Sequence, residues 1–161
     1  MRIELRERTE EHVRIYFERT RDEEIRKLCP QKAQTAEEAI RDFQETLKPG
    51  AGSFGRTVYA DGKYAGDIWL YCIGEEDGPD AMLSFCLFEK RLWGCGIMTE
   101  AARLFLEETK KRFSLKTVGA FTFMENYGSV RVLEKNGFSL RERFFENERE
   151  SGYYEIQMED I

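Results

Sequence analysis

The chain has 161 residues, of which 41% are hydrophobic and 13% aromatic, so it can bury a real core and is not intrinsically disordered. Its net charge of −6 argues against nucleic-acid binding, because neutralising phosphates requires a basic face. No apolar run approaches the roughly 20 residues that span a bilayer, and the charged start at Met1–Arg8 is unlike a signal peptide. We therefore expect one cytoplasmic domain over residues 1–161 that binds neither nucleic acid nor membrane.

The first third of the chain predicts a strand and two helices. The strand is Ile3–Arg6. Thr9 has the position of an N-cap before a helix with one apolar face, and residues 25–28 suggest a further helical turn. The second helix begins after Thr35, where Thr35-x-x-Glu38 has the spacing of a capping box.

Alternating and continuous apolar runs predict the elements of the remaining chain. Strands are expected near residues 54–60, 64–73, 81–88, 117–123, 138–146 and 152–158. A long helix is expected over about 97–112, and a short one over about 128–136. The predicted order is βααβββαβαββ, which indicates a mixed α/β (α+β) fold.

A turn with two glycines, Gly94 and Gly96, joins a predicted strand to the long helix. Glycine allows positive φ and close approach of a ligand to the backbone. The first N–H groups of a helix have no internal partner and lie at the positive end of its dipole. The turn can therefore bind a phosphate or pyrophosphate, although the same pattern also fits a plain left-handed turn.

A second motif follows the next predicted strand: Asn126-Tyr127-Gly128-Ser129 opens a short helix, and Asn136-Gly137 closes it. With the segment Trp93-Gly-Cys-Gly-Ile-Met-Thr-Glu-Ala101, this order resembles the GNAT acetyltransferase superfamily, and within it the RimJ/RimL-like branch. The resemblance implies the GNAT fold, a central mixed sheet of six to seven strands flanked by helices. It also implies acetyl-CoA as co-substrate, without a metal; the cysteines and the single histidine show no zinc-binding spacing.

The resemblance also assigns the residues that would bind acetyl-CoA. They are the strand residues Cys86, Leu87 and Phe88, the loop and helix start Trp93, Gly94, Cys95, Gly96, Ile97, Met98 and Thr99, and the pair Asn126 and Ser129. Trp93 stands where the superfamily usually has Arg or Gln, and Met98 where it has a small residue, which puts a bulkier side chain near the pantetheine. Cys95 stands where a Lys or Arg is common, so backbone N–H groups must carry more of the phosphate binding.

The catalytic assignments are less specific than those for the cofactor. Glu134 occupies the region where many members have a catalytic Tyr, so Ser129 is the candidate acid, with Tyr127 as another. Phe85 stands where some relatives have a Glu base, which leaves other carboxylates as base candidates. These are Asp67, Glu125 and Glu155. For each of these residues, helix capping, packing or a solvated surface position is the alternative interpretation.

The resulting hypothesis is an acetyl-CoA-dependent N-acetyltransferase. Its acceptor would be a primary amine, either a protein N-terminus or a small molecule such as a polyamine, and this amine would attack the thioester carbonyl directly. The acidic run 75–80 is expected near the acceptor. A homodimer is compatible with the branch. The alternative is a catalytically silent GNAT module that binds acyl-CoA as a sensor or partner.

Overall fold

The computed structural model describes residues 1–161 and contains one mixed seven-stranded sheet. The strands are β1 Ile3–Arg6, β2 Phe54–Ala60, β3 Lys63–Tyr71, β4 Ala81–Leu87, β5 Thr117–Phe123, β6 Ser139–Glu146 and β7 Arg149–Gln157. The helices are α1 Glu10–Arg19, α2 Glu23–Leu28, α3 Ala36–Thr46, α4 Ile97–Arg112 and α5 Tyr127–Lys135. Across the sheet the order is β1-β2-β3-β4-β5-β7-β6, and only β4 and β5 are parallel neighbours.

The helices cover the two faces of the sheet. The apolar side of α4, with Phe105 at its centre, packs with Leu133 of α5 and with alternate strand residues in one continuous core. On β4, Leu83 and Leu87 belong to that face, whereas Cys86 points to the opposite face. On that opposite face Cys86 packs against α2. Helices α1 and α3 share a separate, smaller apolar cluster. No helix is both long enough and apolar enough to cross a bilayer.

The predicted mixed fold is confirmed, with one element added. The turn suggested near residues 25–28 is the separate helix α2, so the order of helices and strands is βαααβββαβαββ. Asp22 caps α2 by accepting from the N–H groups of Glu24 and Ile25 at 3.0 and 3.3 Å. Ile25 is only 2% exposed and packs against Cys86. Tertiary burial thus stabilises a helix that is too short to persist alone.

The expected capping box of α3 is only half formed. The Thr35 side chain accepts from the Glu38 N–H at 3.1 Å, as predicted. The Glu38 carboxylate, however, accepts from the N–H of Gln34 at 2.8 Å rather than from that of Thr35. The helix still begins at Ala36, because the Thr35 cap alone satisfies one of its free N–H groups.

A gap opens between the two parallel strands of the sheet. β4 and β5 pair only at Ala81 with Val118 and at Met82 with Gly119. Beyond these pairs the two strands diverge, although each keeps its antiparallel neighbour on the other side. The divergence leaves backbone donors and acceptors in the middle of the sheet without strand partners.

Gly66 allows β3 and β4 to approach each other next to this gap. A Cβ atom at Gly66 would lie 2.1 Å from the Cys86 carbonyl oxygen, which is backbone and cannot rotate away. We expect Gly66→Ala to lower the free energy of unfolding by about 2–3 kcal/mol, as overpacking does. The control is Gly52→Ala, whose Cβ would meet nothing closer than 3.9 Å. Equal urea midpoints for the two variants would contradict this.

Candidate active site

A cleft of about 1230 Å³ opens at the gap between β4 and β5. One wall consists of β4 residues 83–85 and β5 residues 120–123, and the start of α5 contributes Asn126 and Ser129. The other side is formed by α1, by the segment that follows α2, and by α3. The acidic run expected near the acceptor, residues 75–80, does not line this cleft.

The β4 backbone presents two free amides to the gap. The N–H of Phe88 donates to Ala65 of the β3 side at 3.0 Å. Backbone N–H groups alternate in direction along an antiparallel pair. The N–H of Cys86 therefore also points toward β3, whereas the N–H groups of Phe85 and Leu87 point toward the gap. Of the three strand residues expected to bind the cofactor through their backbone, only Leu87 has an N–H that points into the gap. The N–H of Phe85, a residue outside the expected set, points there as well.

The β5 backbone shows the same alternation on the other side of the gap. The N–H of Met124 donates to Glu150 of β7 at 2.9 Å. By the β5–β7 register, the amides of Ala120 and Thr122 also point toward β7. Those of Phe121 and Phe123 point into the gap. Free amides thus face the gap from both of the diverging strands.

The glycine turn has the geometry of an anion-binding loop. Gly94 and Gly96 have φ values of +77° and +79°, and Gly96 is the N-cap of α4 with no side chain capping it. No protein group accepts from the N–H groups at the start of the helix, those of Ile97, Met98 and Thr99. Nothing lies within 4 Å of a Cβ at either glycine, so the loop is open. These donors fit a pyrophosphate.

The side chains around this turn anchor the loop to the core and to the end of β4. Ile97 and Met98 are buried in the main core, so Met98 does not project toward a pantetheine arm and the steric conflict expected there does not arise. Trp93 donates from Nε1 to the Leu87 carbonyl at 2.9 Å, which ties the loop to the end of β4. Cys95 is exposed. The loop residues 93–99 do not themselves line the cleft.

Asn126 and Ser129 lie together at the start of α5. Asn126 Oδ1 accepts from the Ser129 N–H at 3.2 Å, so Asn126 caps the helix, and its amide nitrogen has no protein partner. The Ser129 hydroxyl is half-buried, lines the cleft and makes no hydrogen bond to the protein. Tyr127 is 78% exposed and lies outside the cleft, so the geometry does not support the catalytic role predicted for it.

Asn136 is a positioning residue that the sequence patterns did not indicate. Its side-chain amide donates to the Thr99 carbonyl at 3.2 Å and to the Val132 carbonyl at 2.9 Å. It therefore fixes the end of α5 against the first turn of α4. In sequence, its place before Gly137 suggested only a helix stop.

None of the three carboxylates considered as bases lines the cleft. Asp67 is buried and bound to Arg8 and to the Tyr64 hydroxyl, the latter at 2.6 Å. Glu125 accepts from Arg149 on the surface at 2.8 Å. Glu155 accepts from the Tyr153 hydroxyl at 2.7 Å. None of these three can therefore act directly as a base in the cleft, whose own carboxylates are Glu7, Asp42 and Glu146.

The only histidine is held in a structural role. Its Nδ1 lies 3.1 Å from the Thr9 N–H, which donates to it, and its Nε2 lies 2.7 Å from the Tyr59 hydroxyl. His12 therefore completes the cap of α1. Burial lowers its pKa, which keeps the ring neutral.

A split between parallel strands beside a glycine turn at a helix start is the arrangement expected of an acetyltransferase. Residues 2–139 match the model of the acetyltransferase (GNAT) domain, and the chain belongs to this family. The probable N-acetyltransferase YjcK of Bacillus subtilis (strain 168) is 35% identical over 100 residues, which are 62% of this chain. The matched segment spans only about half (55%) of that relative.

Two solved structures share the fold over nearly their whole length. The spermidine N-acetyltransferase of Vibrio cholerae, in complex with CoA and spermine, superposes with a TM-score of 0.83 at 15% identity, covering 98% of this chain and 96% of that one. RimL, a ribosomal L7/L12 α-N-protein acetyltransferase in complex with CoA, gives a TM-score of 0.78 at 18% identity, covering 96% and 93%.

Proposed function

We propose that this protein is an acetyl-CoA-dependent N-acetyltransferase that transfers an acetyl group to a primary amine. The observation that carries the proposal is the continuity of free backbone donors. They run from Phe85 and Leu87 in the gap to the unpartnered N–H groups at Gly96 and the start of α4. Pantetheine amides in the gap and a pyrophosphate on the loop would pair with them. Family membership and the CoA complexes of both structural neighbours support this.

The reaction requires an exchange of bonds at one carbonyl carbon. A C–N bond to the acceptor amine forms, the C–S bond breaks, the amine gives up one proton and the departing sulfur takes one. Of the two N–H groups that face the gap, that of Phe85, farther along β4 from the glycine turn, would stabilise charge on the carbonyl oxygen, and that of Leu87 would bind the pantetheine. The Ser129 hydroxyl, free of protein partners in the cleft, is the group we assign as proton donor to the sulfur.

Ser129→Ala should lower kcat about 100-fold, the lower end of the effect of losing a general acid, and leave the KM for acetyl-CoA unchanged. The reason is that the hydroxyl acts on the leaving sulfur, whereas the backbone binds the cofactor. Ser114→Ala, at an exposed position outside the cleft, is the control. Equal losses in kcat and in cofactor affinity would instead assign Ser129 a purely structural role at the start of α5.

The activity itself is tested with a pool of amines. Purified protein is incubated with acetyl-CoA and short peptides of different first residues, polyamines, aminoglycosides and amino acids, and products are identified by mass spectrometry. An N-acetylated product above the background without enzyme is expected. Binding of CoA with no product from any amine would favour the silent acyl-CoA-binding module.

A further inference from the structure

We propose that Cys29 and Cys86 form a redox pair, which a hydroperoxide such as hydrogen peroxide oxidises to a disulfide, and that this disulfide narrows the cleft beside Phe85. The pair is a site of reversible covalent modification. Its effect on activity rests on the proposed function, whereas formation of the disulfide does not.

The two thiols meet where the end of α2 packs against β4. Cys29 is the C-cap of α2, and its Sγ lies 3.9 Å from the carbonyl oxygen of Phe85, the residue directly before Cys86. The side chain of Cys86 packs against Ile25 of α2, and Cys29 packs against the same cluster. A hydrogen bond joins the two thiols. The two sulfurs are therefore direct neighbours.

The two cysteines differ in accessibility and in acidity. Cys29 is half-buried and lines the cleft, so a small oxidant can reach it, whereas Cys86 is only 4% exposed and does not line the cleft. The hydrogen bond from the Cys86 thiol lowers the pKa of Cys29; the same bond, together with burial, raises the pKa of Cys86. A lower pKa increases the reactive thiolate at Cys29. Redox-sensing cysteines combine such a thiol with a second, resolving thiol beside it.

The oxidation proceeds in two balanced steps. The Cys29 thiolate attacks one oxygen of the peroxide, so that an S–O bond forms, the O–O bond breaks, and hydroxide leaves and takes up a proton. The sulfur of Cys86 then attacks the sulfenic acid at Cys29, the S–S bond forms, and the S–O bond breaks with loss of water. Two thiols are oxidised, and one peroxide is reduced to two waters.

The disulfide changes the cleft because Cys29 belongs to a movable part of its wall. Residues 28–33 all line the cleft, and residues 30–33, which follow α2, have no regular secondary structure. Cys86 is fixed within β4, which pairs with β3. Bringing the sulfurs to the length of an S–S bond, about 2.0 Å, therefore draws the segment toward β4. It narrows the cleft beside Phe85, whose N–H faces the thioester in the proposed reaction.

The other two cysteines provide internal comparisons. Cys95 is exposed in the glycine turn, where its Sγ lies 3.9 Å from the Trp93 carbonyl oxygen. Cys72 is half-buried with Glu75 beside it, and burial together with this carboxylate raises the pKa of its thiol. Cys72 also does not line the cleft. We therefore expect neither of them to form the intramolecular disulfide.

The test treats the purified, reduced protein with increasing hydrogen peroxide, blocks remaining thiols with N-ethylmaleimide and maps the digested peptides by mass spectrometry. A cross-linked pair of peptides that joins Cys29 to Cys86 is expected, and dithiothreitol should remove it. Acetyl transfer, relative to each protein's own untreated value, should fall at least about tenfold with the cross-link and recover on reduction, since small displacements in an active site can cost about 100-fold.

Cys29→Ser should keep its activity within about twofold after the same treatment, whereas the matched control Cys72→Ser should respond as the wild type does. If Cys95 is already oxidised to its sulfinic acid while no link joins Cys29 to Cys86, the redox pair is overturned and the proposed function stands. A complete link with unchanged activity would overturn the effect on the cleft. Absence of product from the reduced protein with every amine would overturn the proposed function, whereas the link, read by mass, would still establish the pair.

Discussion

Gly96→Asp should weaken acetyl-CoA binding by at least about 100-fold, equivalent to about 2.7 kcal/mol. Gly96 is the N-cap of α4 with a φ of +79°, and its neighbouring N–H groups have no protein acceptor. A carboxylate there would compete for those N–H groups and repel the pyrophosphate. Isothermal titration calorimetry with CoA measures the change without depending on turnover.

Gly62→Asp is the matched control for this variant. Gly62 has the same φ of +79° and likewise nothing within 4 Å of a Cβ, but it lies in the turn between β2 and β3. Both variants therefore carry the same left-handed strain, and only Gly96→Asp alters the loop. If the two bind CoA equally well, the glycine turn does not hold the phosphates.

Asp67→Asn should lower the free energy of unfolding by about 3 kcal/mol, the lower end of the range for breaking a buried ion pair, because Arg8 keeps some exposure. The substitution preserves shape and leaves the guanidinium without a counter-charge. Urea unfolding followed by circular dichroism measures the effect.

Glu125→Gln is the control, since Glu125 pairs with Arg149 at the surface with 60% of its side chain exposed. Exposed pairs contribute about 0–1 kcal/mol. A loss below about 1 kcal/mol in Asp67→Asn would show that the Arg8–Asp67 pair does not hold the end of β1 to β3.

Local patterns predicted most of the fold because most elements have local causes. The helix after the glycine turn begins at Ile97 as expected, since Gly96 needs positive φ and the apolar period starts there. α2 was predicted only as a turn, because its stability comes from packing Ile25 against Cys86, 61 positions away in the chain.

Less of the candidate site could be predicted from the sequence. Which amides face the gap depends on the pairing of β4 with β3, a contact between distant segments, so the expected set of Cys86, Leu87 and Phe88 did not anticipate Phe85. The direction of Met98 depends on the phase of α4 against the sheet. Arg8 and Asp67, 59 positions apart, meet only in the folded chain, and neither belongs to a recognisable motif.

Residue-resolved amide hydrogen exchange, measured by NMR with and without CoA, shows whether the gap and the glycine turn bind the cofactor. We expect CoA to slow exchange at Phe85 and Leu87 and at Gly96–Thr99, whose N–H groups have no protein acceptor. Cys86 and Phe88, already bonded to β3, should change little. Protection confined to other regions, or none at all at saturating CoA, would show that the gap and the glycine turn are not the cofactor site.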